Sequence, residues 1–158
     1  MTVVSHVVTQ PPKVFVIGDG RIEVHQLRAW QDNYIWVLYS RSERQAVIID
    51  GPTAAPLDSW LTKHPCDTIS IWNTHHHPDH VGINRELIDR NNPFKLTIIG
   101  CASRESDIPG FTYGVDEGDV LTFCEQDFIV WRTEGHVDGH LCFVHSDVVF
   151  CGDTLATS

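Results

Sequence analysis

Seven residues, Thr74 to His80, read THHHPDH and hold four histidines and one aspartate. Imidazole nitrogens and carboxylate oxygens ligate divalent ions, and such a density at one place points to metal chemistry. In extended backbone His75 and His77 lie at i and i+2 and converge on one ion, while His76 points the other way. Asp79 and His80 turn towards a second position, so the spacing fits two neighbouring metal sites better than one. Two ions sharing a water lower its pKa from about 15.7 to about 7, which makes a nucleophile at neutral pH. Taken alone, Asp79 has a second use as a helix N-cap.

Two further segments carry ligand types in similar settings. His136 lies in the loop after DFIVWRT, and Asp153 ends VVFCGD; each sits near glycine at a strand's C-terminal end. The elements that must position these side chains are mostly strands. KVFVIGDGRIEVHQL reads as a hairpin turning at Gly18-Asp19-Gly20, followed by strands NYIWVLYS and QAVIID, the latter leaving Asp50 at its end. Leu57, Trp60, Leu61 and His64 recur at i, i+3, i+4 and i+7, which predicts a helix with His64 in its last turn, closed by Pro65. TISIWNT is a strand leading into the histidine cluster, and His80 to Arg90 reads as the helix after it. KLTIIG, DVLTF and DFIVWRT are further strands, separated by a turn-rich stretch from Cys101 to Asp119. HLCFVHSDVVFCGD is a hairpin turning at Ser146-Asp147. Strands with helices between some of them make a mixed layered protein.

Composition narrows the function classes. The net charge is -10 with scattered lysine and arginine, which argues against a nucleic-acid or anionic-membrane surface. No apolar run approaches the ~18 residues that a membrane helix needs. The five cysteines show no CxxC spacing and are expected as reduced thiols of a cytoplasmic protein. Residues 1–12 are expected to form a loose extension and 13–158 one domain.

In chain order, THHHPDHVG, TEGHVDGHLCF and VFCGDTL resemble the motifs of the metallo-β-lactamase fold. DNYIWVL and the GHxxGH spacing resemble glyoxalase II (hydroxyacylglutathione hydrolase) in particular, and the similarity runs from about Val24 to Leu155. The resemblance implies an α+β fold in αββα layers, of which this chain is the N-terminal portion with the second half incomplete. It implies one ion held by His75, His77 and His136, a second by Asp79 and His80, and Asp153 bridging both. His140 would stand beside the site and orient a ligand. Asp50 would support the metal loop, and Asn33 and Tyr34 would shape the pocket floor. His6, His25 and His145 match nothing functional and are expected as surface or packing residues.

The reaction implied is hydrolysis of S-acylglutathione thioesters such as S-lactoylglutathione by a metal-bridging hydroxide, with Asp79 orienting or deprotonating the water. The cofactors implied are two divalent ions, zinc first, with iron or manganese as alternatives. The partner is a small-molecule glutathione thioester, with no nucleic acid, membrane or obligate protein partner expected. A thiolate leaves readily, because thiol pKa values lie near ~8.5, so no strong general acid is needed. The family continues past the aspartate of GDTL through a glycine-rich loop to another metal-binding histidine. This chain is therefore expected to be C-terminally incomplete, with weak or no thioesterase activity as it stands. Two other readings remain open: an iron persulfide dioxygenase, in which cysteine usually stands at the position of His140, and a truncated metal-binding domain without turnover.

Overall fold

A computed structural model describes residues 2–4, 13–133, 139–152 and 154–157. These form two sheets. The seven-stranded sheet runs β2 (Val14–Ile17), β3 (Ile22–Ala29), β4 (Asn33–Ser40), β5 (Gln45–Ile49), β6 (Thr68–Trp72), β7 (Lys95–Cys101) and β8 (Tyr113–Val115), in that order. The six-stranded sheet runs β1 (Thr2–Val4), β13 (Thr154–Thr157), β12 (Val148–Cys151), β11 (Leu141–Val144), β10 (Gln126–Arg132) and β9 (Val120–Phe123), all antiparallel. In the larger sheet β2 to β5 are antiparallel, and β5 to β8 are parallel. Parallel pairing needs a crossover. Helices α1 (Ala55–Leu61) and α2 (Pro78–Ile88) supply the first two.

That topology decides where the chemistry can sit. Parallel strands deliver their C-terminal ends to one edge of the sheet, where ligands of α/β layers collect. The ends of β5, β6 and β7 therefore place Asp50, the Thr74–His80 loop and a 3₁₀ turn (Ala102–Asp107) along that edge. The antiparallel β4 begins there, bringing Asn33 alongside, because Trp36 pairs with Ile49.

Two apolar layers hold the arrangement together. Between the sheets lie Trp36, Leu38, Val47, Ile49 and Trp72 against Phe128, Val130, Leu141, Phe143 and Phe150. Ile35, Val37, Tyr39, Ile48 and Ile71 point the other way, against Leu57, Trp60, Ile83 and Leu87 of the helices. Every residue of β4 after Asn33 is thus buried, as expected of a strand covered on both faces. The described residues supply a helix layer and both sheets of the expected αββα order. The outer face of the six-stranded sheet carries exposed Val120, Ile129 and Trp131.

Several local expectations need correction. Helix α1 ends at Leu61, so His64 lies beyond it and not in its last turn. It stacks on Trp60 at 4.4 Å with planes 7° apart, and its Nδ1 donates to the Trp60 carbonyl at 2.8 Å. The ring adds a second donor to a terminal carbonyl that already accepts from the Lys63 N–H at 3.1 Å. Helix α2 starts at Pro78, two residues earlier than predicted, because proline is pre-organised for a first helical position. His77 is its N-cap, which places Asp79 inside the first turn and removes the capping role considered for it. The stretch expected as turns after Cys101 contains the 3₁₀ turn and β8. Inside the expected N-terminal extension, Thr2–Val4 pairs with β13. Cys142 and Cys151, expected as thiols, form a disulfide, because the β11–β12 register sets their Cα atoms 4.6 Å apart. Cys66, Cys101 and Cys124 are free.

Backbone hydrogen bonds help to lock helix α2 onto the end of β5. Gly51 N–H donates to the His80 carbonyl at 3.0 Å, and Ile83 N–H to the Gly51 carbonyl at 2.9 Å. Gly82 lies directly against the Pro52 carbonyl, which a methyl group there would overlap. Alanine favours a helix by about 1 kcal/mol over glycine, but a rigid carbonyl has nowhere to move. Gly82→Ala is therefore expected to cost about 1–3 kcal/mol net in urea unfolding. A stabilised variant would show that α2 does not dock this way.

Candidate metal centre

The site is built outward from Asp50. This residue ends β5 in the left-handed region (φ 58°), and Gly51 follows, so the chain turns sharply and the carboxylate faces the next loop. Its Oδ1 accepts from the Thr74 backbone N–H at 2.7 Å, and its Oδ2 from the Thr74 hydroxyl at 2.5 Å. His80 Nδ1 lies 3.0 Å from the same Oδ2. Asp50, Thr74 and His80 are all buried. Burial alone would raise the Asp50 pKa; the His80 charge and hydrogen bond, with the two bonds from Thr74, outweigh it and hold the carboxyl below its ordinary value. With Nδ1 engaged by Asp50, His80 presents Nε2, which lies 3.3 Å from Asp79 Oδ2. Asn33 donates to that same oxygen at 3.5 Å.

His75 is the hub of the imidazoles. Its ring centroid is 3.9 Å from His80, 4.8 Å from His77 and 4.9 Å from His140. Its Nδ1 lies 3.0 Å from the Thr74 hydroxyl. Burial pushes the His75 imidazole down to about 4, helped by the charges of His80, His140 and His77 against the opposing pull of Asp50. It is therefore neutral at pH 7, the state in which a histidine binds metal.

The second sheet closes the cluster. Leu141 N–H donates to the Thr74 carbonyl at 2.7 Å, tying the start of β11 to the histidine loop. His140 Nδ1 sits 2.9 Å from the Thr133 hydroxyl. Gly152, at φ 59°, ends β12 beside His140, Thr74 and His80.

Asp50, His75 and His80 each offer a ligand atom within 4.8 Å of the others. Both Asp50 oxygens are already engaged by Thr74 and His80, which makes it an orienting group rather than a ligand. The buried imidazoles of His75 and His80, with His77, His140 and the Asp79 carboxylate beside them, fit a divalent ion such as zinc. His75, His77, Asp79, His80, His140 and Asp50 are thus brought together. His136 and Asp153 lie outside the described residues. His76 is hydrogen-bonded elsewhere, by Arg104 Nη2 at 2.9 Å. Of the two residues expected to shape the pocket floor, Asn33 reaches Asp79, whereas Tyr34 packs between the sheets. His25 and His145 are buried packing residues, as expected. Sequence reasoning missed Thr74, Thr133 and Arg104. Adjacency to the cluster was the one available signal for Thr74, and the other two carried none.

The sheets and the site define a metallo-β-lactamase fold. Solved structures agree: the BLEG-1 B3 metallo-β-lactamase superposes with a TM-score of 0.62 at 22% identity over 76% of this chain and 66% of its own. The ETHE1 protein of Myxococcus xanthus gives 0.59 at 21% identity over 90% and 56%. By sequence the chain is a relative of the hydroxyacylglutathione hydrolases. It is 36% identical over 141 residues to that of Synechocystis sp., covering 85% of this chain and 54% of the relative. It is 39% identical over 134 residues to that of Salmonella paratyphi A, covering 85% and 51%. The chain thus spans about half the length of the curated relatives it matches. No family model matches it.

Proposed function

We propose that this chain is part of a metal-dependent hydrolase of S-acylglutathione thioesters, S-lactoylglutathione among them. The observation that carries the reading is the buried cluster of His75, His80 and Asp50 at the strand-end edge, in a chain related to hydroxyacylglutathione hydrolases. In this reading His75, His77 and His136 hold one ion, Asp79 and His80 the other, and Asp153 both. Zinc is the first choice for this donor set, with iron and manganese next. Bound divalent ions supply the Lewis acidity that activates water and stabilises a developing oxyanion.

The chain's own residues do the positioning. Asp50 holds His80 with Nδ1 inward and Nε2 outward, and Thr74 anchors Asp50 from two directions. Thr133 orients His140. In this reading Asp79, which accepts from the Asn33 amide, would orient the attacking water or take its proton. A glutathione thiolate needs no strong acid to leave. Residues 13–158 belong to one domain in this reading. Among the described residues no helix is long and apolar enough to cross a membrane, and a cytoplasmic site is part of the proposal.

The test is to load the purified protein with zinc, iron or manganese and follow S-lactoylglutathione cleavage. Close to two ions per chain and metal-dependent thioester hydrolysis are expected. Fully metallated protein that leaves the thioester intact but consumes oxygen with glutathione persulfide would move the reading to an iron oxygenase.

A further inference from the structure

Three consecutive histidines pose a selection problem. His75, His76 and His77 carry the same ligand, yet His76 is turned out of the cluster although its ring centroid lies only 5.3 Å from that of His77. Extended backbone aims alternate side chains in opposite directions, but a loop is free to twist, and alternation alone does not hold a ring away.

Arg104 supplies the missing constraint. It sits in the 3₁₀ turn after β7, and its Nη2 donates to His76 Nε2 at 2.9 Å. The same nitrogen pairs with Asp107 Oδ2 at 2.9 Å, which anchors the guanidinium from the other side. Nε2 is an atom with which an imidazole binds metal, so coordination by His76 through it would first require breaking a charge-assisted hydrogen bond. The aliphatic stem of Arg104 lies against the backbone of Gly139 (φ 79°), where a Cβ would come within 2.6 Å of Arg104 Cγ. Gly139 immediately precedes His140. One side chain therefore touches both segments that bring imidazoles to the site.

We infer that Arg104 is a positioning residue that withholds His76 from the metal cluster and sets the spacing between the His75–His80 loop and the Gly139–His140 segment. The inference rests on the metal-centre reading above. It makes the choice of ligands among adjacent histidines a property of the third parallel strand end and not of the histidine loop itself.

Cobalt(II) spectra, chelator competition for zinc and histidine ¹⁵N NMR test it on the intact chain. In the wild-type protein His76 is expected as the Nδ1–H tautomer, with Nε2 unligated before and after zinc is added. Arg104→Met is expected to weaken zinc retention by about tenfold or more and to alter the cobalt spectrum. His76→Phe should leave the spectrum unchanged, and Arg104→Met/His76→Phe should recover it in part, because no competing imidazole remains although the contact of Arg104 with Gly139 is still lost. A zinc-bound His76 in wild type overturns the inference without recourse to any variant. So does an Arg104→Met protein with wild-type spectrum and affinity, or a double variant no better than Arg104→Met. Wild-type protein that takes up neither cobalt nor zinc instead overturns the metal-centre reading beneath it.

Discussion

Asp50→Ala is expected to lower the unfolding free energy by about 3–5 kcal/mol, more than any other single change to the site. The carboxylate accepts two hydrogen bonds from Thr74 and engages His80 Nδ1, with all three residues buried. Alanine leaves the Thr74 N–H and His80 Nδ1 buried without this partner, while the Thr74 hydroxyl keeps only its contact with His75 Nδ1, and each uncompensated polar group costs about 1–3 kcal/mol. Asp50→Asn keeps the shape but has one acceptor oxygen where the network uses two. Its amide must meet either Thr74 or His80, which disturbs the tautomer that presents His80 Nε2. That variant is expected to fold and to bind zinc about 10–100-fold more weakly. Urea unfolding and chelator competition read the two effects separately. An alanine variant as stable as wild type would show that the network contributes nothing.

The second large effect is acid lability of the metal-free protein. Burial keeps His75 neutral in the folded state down to about pH 4, whereas an unfolded chain protonates an imidazole near about 6.5. Between those values the unfolded state binds more protons, so stability falls as pH drops from about 6.5 to about 4. At 1.36 kcal/mol per pKa unit the loss approaches roughly 3 kcal/mol. Asp50 acts in the same direction further down. Its folded pKa is depressed, so its contribution is present above the unfolded carboxyl value of about 3.9 and is lost as pH falls through the folded one. Urea midpoints of chelator-treated protein from pH 4.5 to 8 check this. His75→Phe should flatten the profile; an unchanged slope in that variant would refute the assignment.

Much of the fold was legible because its signals are local. NYIWVLYS and TISIW are rich in β-branched and aromatic residues, and they form β4 and β6 where the pattern puts them. The Gly18-Asp19-Gly20 turn carries positive φ at all three residues, which aspartate tolerates and glycine adopts freely. Boundaries failed where one residue overruled periodicity. Pro78 started α2 early, and α1 stopped short of His64 although the apolar spacing continued. The Cys142–Cys151 pairing was illegible for another reason. Nine residues of separation say nothing until a hairpin register sets the two side by side.

The same division runs through the site. Residue type and spacing by themselves determined that the chain carries a histidine and aspartate cluster of metal-binding character, since those ligands are consecutive and need no fold to be counted. Only the tertiary structure decided which imidazoles meet. Asp50 lies 24 residues from Thr74 and 30 from His80, and Arg104 lies 28 from His76. These partners are neighbours because three parallel strands end at one edge. A sheet's register, set by the burial of side chains on both its faces, is a property of the whole chain and not of any short stretch within it.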